Sequence, residues 1–71
     1  MRLKDLREDR DILQKDLAAF LHVRQNTYSQ YENGQRQLPI AALMQLADYY
    51  GVSTDYILGR TECPQPYPPT R

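Results

Sequence analysis

The sequence predicts an all-α fold of five short helices in a single domain. Leucine and aromatic residues recur three and four positions apart over the first half of the chain, and no segment alternates apolar and polar residues over the length of a strand. Glycine and proline are absent from residues 1–33 and then divide the rest into short segments. With 71 residues, 41% of them apolar, the chain is sufficient for one small core.

The first two helices are expected within the apolar pattern that runs from Leu3 to Leu21. Periodicity alone would allow one long helix there. The stretch Asp9–Leu13 is the expected break, because aspartate is a poor interior helix residue and favours turns. A third helix is expected in the sequence RQNTYSQYENG, residues 24–34.

The last two helices are marked by clearer signals. Pro39 suits the first turn of the fourth helix, and Gly51 lies just past its end. The apolar stripe of that helix comprises Ile40, Leu43, Ala47 and Tyr50. Ser53 is expected to cap the fifth helix, with Asp55 in its first turn and Gly59 at its end. The helical domain is therefore predicted to span residues 1–59.

Residues 60–71 are predicted to form an extended or disordered tail, because they hold four of the five prolines and almost no apolar side chains. The chain has no apolar run long enough to span a membrane and no apolar stretch near its start that resembles a signal peptide. The protein is therefore expected to stay in the cytoplasm.

Catalysis and metal binding are not expected from the side chains available. The single cysteine, Cys63, cannot form an internal disulfide, and the single histidine, His22, has no partner at metal-ligand spacing. No nucleophile, base and acid set and no paired carboxylates suggest an active site. We therefore expect neither a cofactor nor an enzymatic activity.

The third helix has two chemically different sides. At about 100° per residue, one side collects amides and a hydroxyl, namely Gln25, Asn26, Ser29, Gln30 and Asn33. The opposite side holds Thr27, Tyr28, Tyr31 and Glu32. The tyrosine side is expected to face the core.

The amide side is suited to reading DNA bases. A glutamine or asparagine offers a donor and an acceptor in one plane, which matches N6 and N7 of adenine in the major groove. Gln25 and Gln30 are therefore expected opposite adenines in A·T-rich half-sites. Composition alone leaves open the alternative that these amides only solvate a helix surface. The formal net charge of zero gives no independent sign of nucleic-acid binding.

The chain resembles the helix-turn-helix regulators of the Cro and phage-repressor (XRE) family over residues 2–59. The resemblance rests on QKDLAAFLHV (residues 14–23), RQNTYSQYENG (residues 24–34), Arg36, Pro39, Leu43, Leu46-Ala47, Tyr50-Gly51-Val52 and Asp55-Tyr56-Ile57-Leu58-Gly59. It implies a lambda-repressor-like domain in which the second and third helices form the helix-turn-helix. The family usually has glycine at the positions of Asp11 and His22, where this chain departs from it.

The resemblance also implies roles for individual residues. The base-reading residues would be Gln25, Asn26, Ser29 and Gln30. The DNA backbone would be held by Gln14, Lys15, Arg24, Thr27, Asn33, Gln35 and Arg36. Glu32 would pair internally with Arg7 and would not contact DNA.

Two functional hypotheses follow. The first is a transcriptional regulator, in particular a repressor, that binds a double-stranded, inverted-repeat operator as a homodimer. Its dimer surface is expected at Tyr49, Tyr56, Ile57 and Leu58. The alternative is a protein-interaction module of the same fold, such as an antitoxin or an anti-repressor partner, with little or no DNA reading of its own.

Overall fold

The computed structural model describes residues 1–68 and contains five α-helices and no strand in that range. The helices are α1 (Leu3–Asp9), α2 (Gln14–Leu21), α3 (Gln25–Asn33), α4 (Ile40–Tyr50) and α5 (Thr54–Leu58). The predicted all-α fold of five short helices is confirmed. Within the described residues, no helix has both the length and the apolar composition needed to cross a membrane. Residues 69–71 of the predicted tail lie outside the described residues.

The turns on either side of α2 are both made by residues in the left-handed region. Asp11 has φ 54° and His22 has φ 59°. The N–H of His22 donates to the carbonyl of Ala19 at 3.1 Å, and the N–H of Val23 donates to that of Ala18 at 2.9 Å. These bonds satisfy carbonyls that the end of α2 leaves unpaired. Because this region costs a non-glycine residue about 1–2 kcal/mol, both turns are strained at the positions where the family usually has glycine.

The starts of α4 and α5 differ in how the first turn is capped. Pro39 lies one residue before α4, with extended backbone (φ −61°, ψ 149°), and not within the first turn as predicted. Its carbonyl accepts the N–H of Leu43 at 2.9 Å, so proline stands where its fixed φ fits and no N–H is needed. At α5, the hydroxyl of Ser53 accepts the N–H of Tyr56 at 3.0 Å and caps the helix as predicted.

The core lies where all five helices meet. Its buried apolar side chains are Leu3, Leu6, Leu17, Ala18, Leu21, Tyr28, Tyr31, Leu46, Ala47, Tyr50, Val52 and Ile57. Ile57 is 0% exposed, so its side chain lies wholly within its own chain. The expectation that Ile57 lies on a dimer surface is therefore wrong. Within α5 only Ile57 is buried, Thr54, Asp55 and Tyr56 are half-buried, and Leu58 is exposed.

Residues 60–68 form neither helix nor strand, and they lie back along α5. The carbonyl of Pro64 accepts the backbone N–H of Ser53 at 3.0 Å, and the hydroxyl of Tyr67 donates to Oδ2 of Asp55 at 2.8 Å. Ser53 is buried, and its N–H precedes the first turn of α5. The tail backbone thus supplies a hydrogen-bond partner that the helix itself cannot provide.

Candidate nucleic-acid interface

Helix α3 separates its side chains into a buried side and an exposed side, as its spacing predicted. Tyr28 is 0% exposed and Tyr31 lies beside it in the core, with their rings in an edge-to-face contact at 6.5 Å between centroids. On the other side, Gln25, Asn26 and Asn33 are exposed, while Ser29 and Gln30 are half-buried, as is Thr27 on the tyrosine side. The tyrosines therefore fix the orientation from which the polar side chains project.

The first turn of α3 is open to solvent. Arg24 precedes it with extended backbone (φ −72°, ψ 151°) and supplies no side-chain cap. The N–H groups at the start of a helix have no partner within the helix, and the helix dipole favours negative charge there. Since Arg24, Gln25 and Asn26 are all exposed, this end of α3 is accessible to an anionic group such as a phosphate.

The turn after α3 folds back onto Gln30. Gly34 ends the helix in the left-handed region at φ 75°. The N–H groups of Gln35 and Arg36 then both donate to the carbonyl of Gln30, at 2.9 and 3.3 Å. The side chain of Arg36 follows the same path, and its Nε donates to Oε1 of Gln30 at 2.9 Å. The predicted backbone-binding residue Arg36 and the predicted base-reading residue Gln30 are therefore in direct contact.

A largely buried ion pair connects α3 to α1. Nε of Arg7 donates to Oε2 of Glu32 at 2.7 Å, and Nη2 of Arg7 donates to Oε1 at 3.3 Å. The Glu32 side chain is 1% exposed and that of Arg7 is 13% exposed. Nη1 of Arg7 also donates to the carbonyl of Ile12, so one guanidinium binds both α3 and the turn before α2.

Arg7 and Glu32 shift each other's pKa toward the charged form. Burial would raise the pKa of Glu32, but hydrogen bonds to its carboxylate, led by that from Arg7, outweigh burial and lower the pKa. The hydrogen bond to Glu32 raises the pKa of Arg7 in turn. Burial, reinforced by the nearby Glu32 carboxylate, raises the pKa of Tyr28, whose hydroxyl has no hydrogen-bond partner of good geometry among the described residues. The pair is therefore ionised at neutral pH.

Gln14, at the start of α2, takes part in the same network. Its Nε2 donates to Oε1 of Glu32 at 3.1 Å. The amide was expected on a DNA phosphate, and in the structure it is half-buried and directed toward the carboxylate. Gln14 thus fixes the start of α2 against α3, a role that the sequence did not indicate because the two residues are 18 positions apart.

A shallow hollow of about 640 Å³ lies between the starts of α1, α2 and α3. It is lined by Lys4, Arg7, Leu13, Gln14, Lys15 and Gln25. Lys4 and Lys15 are exposed, so two cations stand beside Gln25. Lys4 is not among the residues for which the sequence predicts a DNA contact. Lys4 lies three residues before Arg7 and therefore on the same side of α1. This spacing could have indicated from the sequence that Lys4 lies near α3.

The residues expected on a dimer surface are spread over α4 and α5. Tyr49 is 46% exposed and Leu58 is 42% exposed, while Tyr56 is half-buried. The ring of Tyr49 packs against Phe20 of α2 at 4.9 Å between centroids, and Phe20 is itself partly exposed. Accessible apolar surface therefore exists at Tyr49 and Leu58, and Phe20 extends it.

Comparison with known proteins agrees with the helix-turn-helix arrangement of α2 and α3. A sequence model described as helix-turn-helix matches residues 3–57. The chain is 39% identical over 61 residues to the HTH-type transcriptional regulator ImmR of Bacillus subtilis, covering 86% of this chain and 48% of that protein. It is 33% identical over 61 residues to the cryptic phage CTXphi transcriptional repressor RstR of Vibrio cholerae, covering 86% of this chain and 55% of that protein.

A third relative is the SPbeta prophage-derived uncharacterized HTH-type transcriptional regulator YonR of Bacillus subtilis. It is 35% identical over 60 residues, which cover 84% of this chain and 56% of that protein. The chain spans about half the length of the curated relatives it matches. No solved structure shows significant similarity to it.

Proposed function

The chain belongs to the XRE-type helix-turn-helix family, and from this premise we propose that it is a sequence-specific DNA-binding transcriptional regulator. The observation that supports the proposal most is the exposed polar side of α3. That side carries amides and a hydroxyl, and the opposite side is held in the core by Tyr28 and Tyr31. A rigid helix that presents bidentate amides to solvent fits the major groove of DNA.

Base reading is assigned to Gln25, Asn26, Ser29 and Gln30. Gln25 and Asn26 stand in the first turn of α3, the part of a recognition helix that meets base edges. A glutamine or asparagine that binds N6 and N7 of adenine contributes about 1–3 kcal/mol of discrimination. Adenine is therefore the proposed partner of Gln25, whose side chain makes no hydrogen bond to another described residue.

Backbone contacts are assigned to residues at both ends of α3 and at the start of α2. They are Lys15, Arg24, Thr27, Asn33, Gln35, Arg36 and Gln14, whose Nε2 has a second N–H beyond the one that binds Glu32. Few of these are cations, and the chain as a whole has no net charge. Since each phosphate neutralised by a cation contributes to the salt dependence of binding, a modest salt dependence is expected for each copy.

We further propose that the protein represses transcription as a dimer on an inverted repeat. One copy offers too few contacts for tight binding, and two recognition helices about 34 Å apart would meet successive turns of the major groove. The proposed dimer surface comprises Tyr49, Leu58 and the exposed edge of Tyr56. Repression is supported by the name of the Vibrio cholerae relative, which is a transcriptional repressor.

Selection of bound duplexes from a random pool, followed by salt titration of the selected sequence, tests DNA reading. We expect an A·T-rich inverted repeat with adenine opposite Gln25 and affinity that falls as salt rises. If no sequence binds more tightly than scrambled DNA, the proposal fails in favour of a protein-interaction module of the same fold.

Light scattering coupled to gel filtration, at micromolar protein with and without the selected duplex, tests the dimer. Two copies per duplex are expected, and Tyr49→Ala combined with Leu58→Ala should reduce this to one. A wild-type protein that binds the duplex as a strict monomer would overturn the dimer while leaving DNA reading intact.

A further inference from the structure

Among the amides on the exposed side of α3, Gln30 is the one whose side chain accepts a hydrogen bond from an arginine, Arg36. Three donors from the turn after α3 converge on Gln30. The N–H groups of Gln35 and Arg36 bind its backbone carbonyl, and Nε of Arg36 binds its side-chain Oε1 at 2.9 Å. Because Gly34 directs the chain back over the end of α3, this contact is part of the turn and needs no distant element.

The hydrogen bond changes which groups Gln30 presents. A free glutamine amide offers one acceptor and two donors, and adenine requires both kinds. In Gln30 one lone pair of Oε1 already accepts from a cationic donor, so the amide presents chiefly the donors of Nε2, which bind no other described residue. Arg36 adds the N–H groups of its two Nη atoms, since only its Nε is used within the described residues. Together the two side chains present donors.

A surface of donors matches guanine better than adenine. In the major groove guanine offers two acceptors, N7 and O6, whereas adenine offers the acceptor N7 and the donor N6–H₂. Resting on the DNA binding proposed above, we propose that Gln30 and Arg36 act as one reading unit that selects guanine. Arg36 is then a specificity-determining residue and not only a contact to the DNA backbone.

Gln25 provides the internal contrast. Its amide makes no hydrogen bond to another described residue and keeps both donor and acceptor for adenine. Gln25 and Gln30 are five residues apart, about 7.5 Å along α3, so they meet different base pairs. A half-site should therefore carry adenine at one contacted position and guanine at the other, although the sequence alone predicts adenine at both.

The test compares the base preferences of the full chain and three variants. Gln30→Ala identifies the position that Gln30 reads, because the preference there alone should relax. Arg36→Ala tests the inference, and Arg24→Ala is the matched control, since it removes an exposed arginine from the other end of α3. Circular dichroism and urea unfolding establish that all four proteins are folded. Dissociation constants are then measured for duplexes that carry each of the four base pairs at the position identified.

We expect the wild type to bind the guanine duplex about tenfold more tightly than the adenine duplex. Arg36→Ala should lose most of this preference and keep the preference for adenine at the Gln25 position. Arg24→Ala should weaken every duplex by a similar factor and keep the tenfold preference.

Three results would overturn the inference. These are a wild-type preference for a base other than guanine at that position, a Gln30→Ala variant that relaxes no position, and an Arg36→Ala variant that weakens all duplexes equally. In each of these cases the wild type still distinguishes the selected duplex from scrambled DNA. If it does not, the proposed function itself fails, which is a separate and recognisable result.

Discussion

The buried and exposed sides of α3 are parts of one nine-residue helix, but they are held in place by different forces. The buried side has the rings of Tyr28 and Tyr31 in the core and the ion pair of Glu32 with Arg7 beneath. The exposed side has amides that make few contacts within the chain. Residues one or two positions apart in a helix can face opposite sides. A single helix of a small domain can therefore carry stabilising residues on one side and, as proposed, DNA-binding residues on the other.

The scarcity of charge on α3 has a different meaning on each side. On the exposed side, the proposed reading of bases by amides would depend on directional hydrogen bonds more than on the general attraction of cations for phosphate. On the buried side, the one charged residue, Glu32, is matched by Arg7. Substitutions on the buried side should therefore lower the free energy of unfolding, whereas substitutions on the exposed side should weaken DNA binding and leave stability almost unchanged.

Tyr28→Ala should produce the largest effect, because it removes a fully buried ring from the centre of the core. Loss of a large buried side chain typically costs about 3–5 kcal/mol, which is a large part of the stability of a small domain. Urea unfolding followed by circular dichroism measures the loss. The matched control is Asn26→Ala on the exposed side, which should change the free energy of unfolding by less than about 0.5 kcal/mol. Equal losses for the two variants would contradict the distinction between the sides.

Glu32→Gln should have the next largest effect, roughly 3 kcal/mol, because it leaves the guanidinium of Arg7 largely buried beside a neutral group. The same urea experiment measures it. Gln14→Ala is the companion variant, since it removes one hydrogen bond to Glu32 without removing the charge. It should cost about 1 kcal/mol. A Glu32→Gln protein as stable as the wild type would show that the ion pair does not stabilise the fold.

Because the pKa of Glu32 is lowered in the folded chain, the stabilisation by the ion pair should decrease at acidic pH. A carboxylate with a depressed folded pKa stabilises the fold above its ordinary value of 4.5, and this stabilisation is lost as the pH falls through the folded pKa. The difference in unfolding free energy between wild type and Glu32→Gln should therefore be constant near neutral pH and shrink as the pH falls below 4.5 and through the lowered folded pKa. A difference that stays constant over this range would mean that Glu32 ionises no more easily in the folded than in the unfolded chain.

His22→Gly should have the smallest effect and the opposite sign. The left-handed backbone of His22 costs about 1–2 kcal/mol, partly offset by the greater freedom of glycine in the unfolded chain. A gain of about 0.5 kcal/mol is expected. Gly34→Ala is the reverse experiment, because Gly34 has φ 75°, and it should cost about 1 kcal/mol. A loss of stability in His22→Gly would show that the imidazole contributes more than its backbone strain costs.

Much of the fold was readable from local sequence patterns. Helical spacing predicted the five helices and the burial of Tyr28 and Tyr31, because the apolar residues of an amphipathic helix recur at positions that share one face. The end of α4 at Gly51 and the cap at Ser53 followed from single residue types. These features depend on neighbours within a few positions.

Features that depend on distant or three-dimensional neighbours could not be predicted in this way. The bond of Gln14 to Glu32 joins residues 18 positions apart, and the position of Lys4 beside Gln25 requires the packing of α1 on α3. The contact of Arg36 with Gln30 spans only six residues but needs the actual path of the turn. Ile57 was misplaced because a five-residue helix is too short for periodicity to orient it.

We propose that the exposed side of α3 reads DNA while the opposite side holds the fold. This proposal is tested most directly by Gln25→Ala combined with Gln30→Ala, with binding to the selected duplex and to scrambled DNA measured beside urea unfolding. We predict that the double variant loses its preference for the selected duplex and keeps a free energy of unfolding within about 1 kcal/mol of the wild type. Normal binding to the selected duplex by the folded double variant would show that Gln25 and Gln30 do not read the bases.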